Sequence, residues 1–291
     1  MSPDYLARLF QQRSQARLIR FDEQPVPGAT LDVLEPALWE RFRTPRSLTE
    51  SRESLLHKLG MACPNETGSF LASVAGVLLA STDPRRFLPN AFIQAVAYRG
   101  TDSVPRNGGT PYQLDAADIS GPIDEQVMTA LSFVGRNMKV RAYKTIGRKD
   151  VPQFDLSAVF EALVNGVAHR DYAVHGSKIR LRLFADRLEL FSPGPLSNTM
   201  TVESLPLRQS ARNEAVTSLL SRCRVPATPL PLDTDRNTFM DKRGEGVGII
   251  LDRSEALSGR RPEYRVVDDA ELMLTIWAPS DDEPRRPTED P

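Results

Sequence analysis

The sequence predicts an α+β fold. One antiparallel or mixed sheet is covered by helices on one face, with an N-terminal helical and α+β extension. Two observations predict it. The second half runs helix, hairpin, helix, glycine-rich turn, helix, hairpin, which is a sheet-and-helix layer pattern. The chain also has 291 residues, of which 40% are hydrophobic and 26% charged, enough to bury a full core without staples.

Each element has its own signal. Residues 3–16 carry Tyr5, Leu6, Leu9 and Phe10 on one helical face. Phe21 to Thr30, with Pro25, Pro27 and Gly28, predicts a connector. Short helices are predicted at Leu34–Phe42 and at Leu48–Leu59, the latter opened by Thr49. Leu71–Ala80 is largely apolar and predicts a buried helix. Ala91–Tyr98 predicts a strand, Ser103–Pro111 a loop, Gly121–Met138 a helix and Val140–Ile146 a strand. Further on, Leu156–His169 predicts a helix, and Lys178–Phe184 with Arg187–Phe191 a hairpin. Asn213–Ser221 predicts a helix, and Cys223–Asp241, with three prolines, a long mobile loop. Gly246–Leu257 predicts a helix, and Tyr264–Val267 with Glu271–Trp277 a last hairpin. The tail from Ser280 has five acids and two arginines among Pro, Ser and Thr, a composition that favours disorder. The expected units are therefore an N-terminal segment 1–47, an α+β subdomain 48–150, a ligand-binding domain 151–279 and an acidic tail 280–291.

Composition excludes several classes. Lys+Arg 37 against Asp+Glu 38 gives a net charge of -1, which is no general polyanion binder. Two cysteines, Cys63 and Cys223, exclude a disulfide scaffold and fit a reducing, cytoplasmic compartment. The longest apolar run, Phe70–Ala80, is too short to span a bilayer, and the N-terminal residues lack a signal-peptide pattern. No membrane partner is expected. GxxxxGK[ST], GxSxG and HExxH are all missing, so helicase, hydrolase-elbow and zincin readings have no support.

Three segments carry chemistry. In Glu161–Tyr172, EALVNGVAHRDY, the residues Glu161, Asn165 and His169 recur at i, i+4 and i+8 and form one polar stripe. Glu161 suits a general base acting on water, and Asn165 an oxygen ligand for Mg2+. The competing reading is a solvent-facing stripe on a capped helix. In Asp186–Gly194, DRLELFSPG, a strand ends in a turn whose glycine permits close backbone approach. In Lys242–Ile250, KRGEGVGII, Gly244, Gly246 and Gly248 alternate before a helix, an anion cradle to which Arg243 adds a charged donor. A basic run, Arg136, Lys139, Arg141, Lys144, Arg148 and Lys149, reads as a solvated face or a phosphate contact. Neither Cys223, with no histidine partner, nor the lone His57 and His175 reads as a site. A metal hydrolase would need more carboxylate and histidine than His169 and Asp171 supply.

Taken together, these segments resemble the GHKL ATPase fold of gyrase, Hsp90, histidine kinases and MutL. More closely, Glu161–Leu196 (EALVNGVAHRDYAVHGSKIRLRLFADRLELFSPGPL) resembles a bacterial family often mislabelled as RecG-like helicase. Its members are transcriptional regulators with a divergent GHKL-type ATPase domain that usually follows a Schlafen-type AlbA DNA-binding domain. LLHKLGMA (55–62), DPRRFLPNAFIQAVAYRGTD (83–102), ISGPIDEQV (119–127) and ARNEAV (211–216) add to the likeness, which spans 48–279.

The resemblance implies ATP and Mg2+ as cofactors. Glu161 takes the place of the water-activating Glu, Asn165 of the Mg2+ ligand and His169 of a residue near the phosphates. Gly194 takes the place of the glycine beside adenine, and Gly244, Gly246 and Gly248 of the phosphate-facing glycines. Pro226–Arg243 takes the place of the lid, and Thr275 of the last-strand Thr beside adenine. Ser192 stands where the family has an adenine-reading Asp, Leu196 where it has a second glycine, and Gly166 where it usually has Ala. Residues 1–47 resemble the segment after the AlbA domain, so a truncated member is expected. The implied activity is ATP binding with slow or no hydrolysis in DNA-linked regulation, with Arg243 or His169 as charge stabiliser. DNA, a DNA-binding protein and a second copy are the implied macromolecular partners. The alternative is a non-catalytic DNA-associated or protein-interaction regulator with a degenerate pocket, which Ser192 and Leu196 favour.

Overall fold

A computed structural model describes residues 20–65, 67–104, 112–144, 148–196, 200–233, 237–241 and 244–280. The expected helix 3–16, most of the 103–111 loop, Arg243 and the acidic tail lie outside the described residues.

The described residues form seven α-helices and eleven strands, in order. They are β1 (Pro25–Thr30), α1 (Pro36–Trp39), α2 (Arg52–Lys58), β2 (Ala62–Pro64), β3 (Phe70–Ser73), α3 (Val74–Ala80), β4 (Ile93–Tyr98), β5 (Gln113–Ile119) and α4 (Ile123–Asn137). Then come β6 (Val140–Lys144), β7 (Arg148–Pro152), α5 (Leu156–His169), β8 (Ile179–Leu183), β9 (Arg187–Pro193), α6 (Glu214–Leu220), α7 (Gly246–Ser258), β10 (Glu263–Val267) and β11 (Glu271–Trp277).

The main sheet has six strands in the order β10-β11-β9-β8-β4-β5. Every pair is antiparallel except β4 with β8, which is parallel, so the sheet is mixed. Alternation sets its two faces. Ile93, Ala95, Ile179, Leu181, Leu188, Leu190, Leu274 and Ile276 are buried on the face that carries α4, α5 and α7. Among the described residues no helix packs on the other face, and long polar side chains lie over it. There the Arg180 and Arg182 guanidiniums lie 4.3 and 5.2 Å from the Phe191 ring, their stems laid along the sheet. The expected sandwich with helices on one face is the observed one.

A three-stranded sheet, β1-β3-β2, and the hairpin β6-β7 complete the strands. One continuous core runs from Val26 to Ala278, with Phe42, Phe133, Phe154, Phe160 and Phe239 among its fully buried side chains. The expected division at residue 150 therefore cuts one core, and β4 and β5 share a sheet with β8 to β11. The segment 20–47 is stitched in as well. Asp22 Oδ2 accepts from the Ala215 and Val216 amides at 2.8 and 3.2 Å, and Arg222 donates to the Phe42 carbonyl at 2.7 Å.

Four expectations are corrected. Residues 25–30 form a strand, not a connector, because an edge strand tolerates Pro25 and Pro27. The apolar run 71–80 splits into β3 and α3, divided at Ser73, whose hydroxyl caps α3 by accepting from Gly76 N at 3.0 Å. Ser51, not Thr49, caps α2, and Leu48 is left 66% exposed. The loop 223–241 is anchored rather than loose. Its ends pair through Val225–Asn237 and Phe239–Cys223 hydrogen bonds of 3.0 Å, and the Phe239 ring packs 5.7 Å from Phe160.

Candidate functional site

Helix α5 holds the predicted polar stripe. Asp155 starts it by accepting from Ala158 N at 2.9 Å, and the apolar faces of α5 fill the core. Its far end is closed by side chains. Ser192 Oγ donates to the Gly166 carbonyl at 3.0 Å, Tyr172 to Val167 at 2.9 Å, and Asn213 to Ala168 and Arg170 at 2.9 and 2.8 Å. The last-turn carbonyls that a helix leaves without partners are thereby satisfied.

Helix α7 lies along α5. Arg253 on α7 bonds Asp155 at 3.1 Å and Asp233 at 3.0 Å, tying the two helices together. At the start of α7 the chain turns through Gly244, whose φ of 77° suits glycine alone. Gly246 is the first helical residue, and Glu245 provides no side-chain cap. A Cβ on Gly246 would stand 2.9 Å from Glu161 Oε2 and 3.1 Å from Asn165 Nδ2. The backbone of α7 thus sits against the two residues to which the sequence assigned base and ligand roles.

These elements enclose a cavity of about 1170 Å³. That is somewhat above the roughly 300–1,000 Å³ of ligand pockets in general. Leu190, Leu272, Leu274 and Tyr264 make an apolar floor on the sheet, and Ala162 and Gly166 a wall on α5. The segment after β9, with Arg208, Gln209 and Arg212, forms another wall, and Arg20 and Lys58 of the N-terminal part close the far side.

The ionisable groups are strongly biased by burial. Desolvation, reinforced by the Arg212 cation, pushes the half-buried His169 down to about 4, so its imidazole is neutral at pH 7. A neutral His169 can donate or accept a hydrogen bond toward the cavity that it lines. Arg212 is itself paired with Asp171 at 2.8 Å. Burial pushes the Cys223 thiol up to about 12 and Cys63 to about 11, so neither is a nucleophile.

The structure brings together Glu161, Asn165, His169, Ser192, Gly194, Gly244 and Gly246, all on the cavity wall. It does not bring in two others. Thr275 is in register with Glu189, so it stands on the helix-free face of the sheet, away from the cavity. Gly248 lies within α7 with nothing within 4 Å of a built Cβ, and it does not line the cavity. Most of the expected lid packs elsewhere, and only Met240 and Asp241 of its described part reach the wall. The basic run lies apart too. Arg136 pairs with Asp115 at 3.1 Å, and Gln153 after β7 bonds the Phe184 and Ala185 carbonyls, at the opposite end of β9 from Ser192.

Sequence reasoning missed Tyr264, Leu272 and Leu274. The signal was available in the period-2 alternation of the last two strands, because pairing Leu272 with Ser192 and Leu274 with Leu190 sets all four on one face. The wall at 208–212 carried no periodic signal.

A divalent cation fits the donor set only with help. Asn165 offers an amide oxygen and Glu161 a carboxylate, both suited to Mg2+. Among the described residues no group of three or more His, Cys, Asp or Glu could hold a metal, so ligand phosphate oxygens and waters would complete the shell. No described helix is long and apolar enough to cross a membrane.

Comparison with known proteins agrees in outline. Residues 176–276 match an ATPase-like family model described as "Putative ATP-dependent DNA helicase recG C-terminal". The match begins after α5 and takes in Ser192, Gly194 and the start of α7. Among solved structures, the DIP2311 protein of Corynebacterium diphtheriae is similar, with a TM-score of 0.59 and 22% identity. The likeness covers 94% of this chain and 49% of that one, so the chain spans about half the length of that neighbour. At this identity the likeness speaks for the fold. No curated protein matches the chain.

Proposed function

We propose that the chain binds an adenine nucleotide with Mg2+ in the cavity between α5, α7 and the sheet, and that it serves as a regulatory module. The observation that carries this reading is the seat of Gly246 against Glu161 and Asn165 at the uncapped start of a 13-residue helix. The first-turn amides and the helix dipole there favour a polyphosphate. Asn165 would hold Mg2+ through its amide oxygen, and the cation would offset phosphate charge. Glu161 would orient a water and accept its proton, giving slow hydrolysis or none. The ATPase-like match over 176–276 supports nucleotide binding. A cytoplasmic role in DNA-linked or transcriptional regulation, alone, as a homodimer or beside a DNA-binding partner, is the wider setting we propose.

One observation favours a second reading, a non-catalytic regulator with a degenerate pocket. Ser192 stands where a carboxylate would read adenine, and its hydrogen is committed to the Gly166 carbonyl. Thermal unfolding with millimolar Mg·ATP, Mg·ADP and Mg·GTP separates the two. A ligand at about 100 times its Kd stabilises by roughly 2.7 kcal/mol, a shift of a few degrees. We expect that shift with adenine nucleotides and its loss in Asn165→Ala. No shift with any nucleotide would sink the first reading in favour of the second. Where turnover is measurable, Glu161→Ala should abolish it.

A further inference from the structure

Tyr264 is an unused group on the floor of the cavity. It stands on β10 in register with Leu274, which pairs with Leu190, so its side chain rises from the helix-covered face. It lines the cavity, and its ring is half-buried against the core. Its hydroxyl has no hydrogen-bond partner among the described residues, and burial alone pushes its pKa up. The hydroxyl therefore meets the cavity, where water or a ligand can bond it. No described residue bonds that oxygen, which leaves it available to a ligand in the cavity.

Ser192 supplies the complementary constraint. Its hydrogen is given to the Gly166 carbonyl, so toward the cavity its oxygen can only accept. The floor therefore offers one obligate acceptor, at Ser192, and one free hydroxyl, at Tyr264, on either side of the apolar surface of Leu272 and Leu274. Two strand spacings, about 10 Å, separate β9 from β10. A planar base lying over the two leucines would present its edges to both groups.

We infer that Tyr264 is a specificity-determining residue that reads the base of the bound nucleotide, with Ser192 as its acceptor counterpart. The inference rests on the nucleotide reading above. Adenine carries an amino donor for Ser192 on one edge and ring-nitrogen acceptors on its other edges for Tyr264, whereas guanine puts a carbonyl acceptor where Ser192 requires a donor. The pair thus does with two neutral hydroxyls what a single carboxylate does by charge, and it selects adenine through the donor that Ser192 requires.

The test is Tyr264→Phe, which removes one oxygen and no packing. Binding of Mg·ATP, Mg·GTP and magnesium tripolyphosphate is measured by calorimetry on wild type and variant. Wild type should prefer ATP to GTP. The variant should bind ATP about tenfold more weakly and tripolyphosphate within about twofold of wild type. Its melting temperature without ligand should not fall. Unchanged ATP binding would overturn the inference. So would an equal loss for ATP and tripolyphosphate, which would make the residue structural. Wild type that binds triphosphates without preferring ATP would also overturn it while leaving the nucleotide site standing. Wild type that binds none of the three would remove both.

Discussion

The two ends of the α5–α7 pair that face the cavity are built in opposite ways. At the C-terminal end of α5, Ser192, Tyr172 and Asn213 each donate to a last-turn carbonyl. At the N-terminal end of α7 the Glu245 side chain provides no cap, and a glycine brings the backbone against Glu161 and Asn165. One end is closed by the protein itself, which fixes the position of α5. The other lacks a cap from Glu245 and turns its first residues toward the cavity. The contrast teaches where stability and function separate: a helix end closed by side chains holds the scaffold, and one that turns its first residues to a cavity suits a ligand.

The largest effect that would break this contrast is expected at the open end. Gly246→Ala puts a Cβ 2.9 Å from Glu161 Oε2 and 3.1 Å from Asn165 Nδ2, forcing both side chains to move. Mg·ATP affinity should fall about a hundredfold, about 2.7 kcal/mol, while stability holds or rises by up to about 1 kcal/mol from the better helix former. Calorimetry with a parallel melt checks both, and an unchanged affinity would deny the close approach any role.

Next comes the closed end. Asn213→Ala leaves the Ala168 and Arg170 carbonyls without their donor in a buried place. We expect a loss of about 3 kcal/mol in urea unfolding, with the fold retained. A loss under about 1 kcal/mol would mean that water replaces the amide there.

The smallest effect sharpens the comparison through pH. His169 ends α5 with a folded pKa of about 4, below its unfolded value of about 6.5. Between these values the unfolded chain holds the extra proton. Stability should therefore be full above pH 6.5 and fall as pH drops toward 4. The shift bounds the effect at about 3 kcal/mol, and the partial exposure of the ring brings the expectation to about 2 kcal/mol. His169→Gln should flatten this part of the curve of denaturant midpoint against pH. Equal slopes for variant and wild type would place the titration elsewhere.

How legible the sequence was depends on which face a residue serves. Helix α5 was readable to the residue, since its apolar periodicity and its Asp155 cap agree. Strand β5, QLDAADI, was not: an edge strand with alternating acids and small residues lacks the apolar signature of a buried one. Nor was β7, RKDVP, in a surface hairpin. The run 70–80 misled because continuous apolar character does not tell a strand from a helix. In the cavity, Glu161 and Asn165 were found because helical spacing is local. Thr275 was misplaced because its side of the sheet follows from pairing with β9, which single-strand patterns do not show.

The joint made by Asp22 has a kinetic consequence. It accepts from Ala215 across 193 residues of chain. A loop of that length loses much entropy before the contact returns anything, so by contact-order reasoning this joint closes late. Arg20 and Ala215, which flank it, belong to the cavity wall. A growing chain would thus present the Glu161 helix to its surroundings well before it encloses a ligand. The strength of the joint should then show in the rate at which the finished protein opens, not in the rate at which it forms.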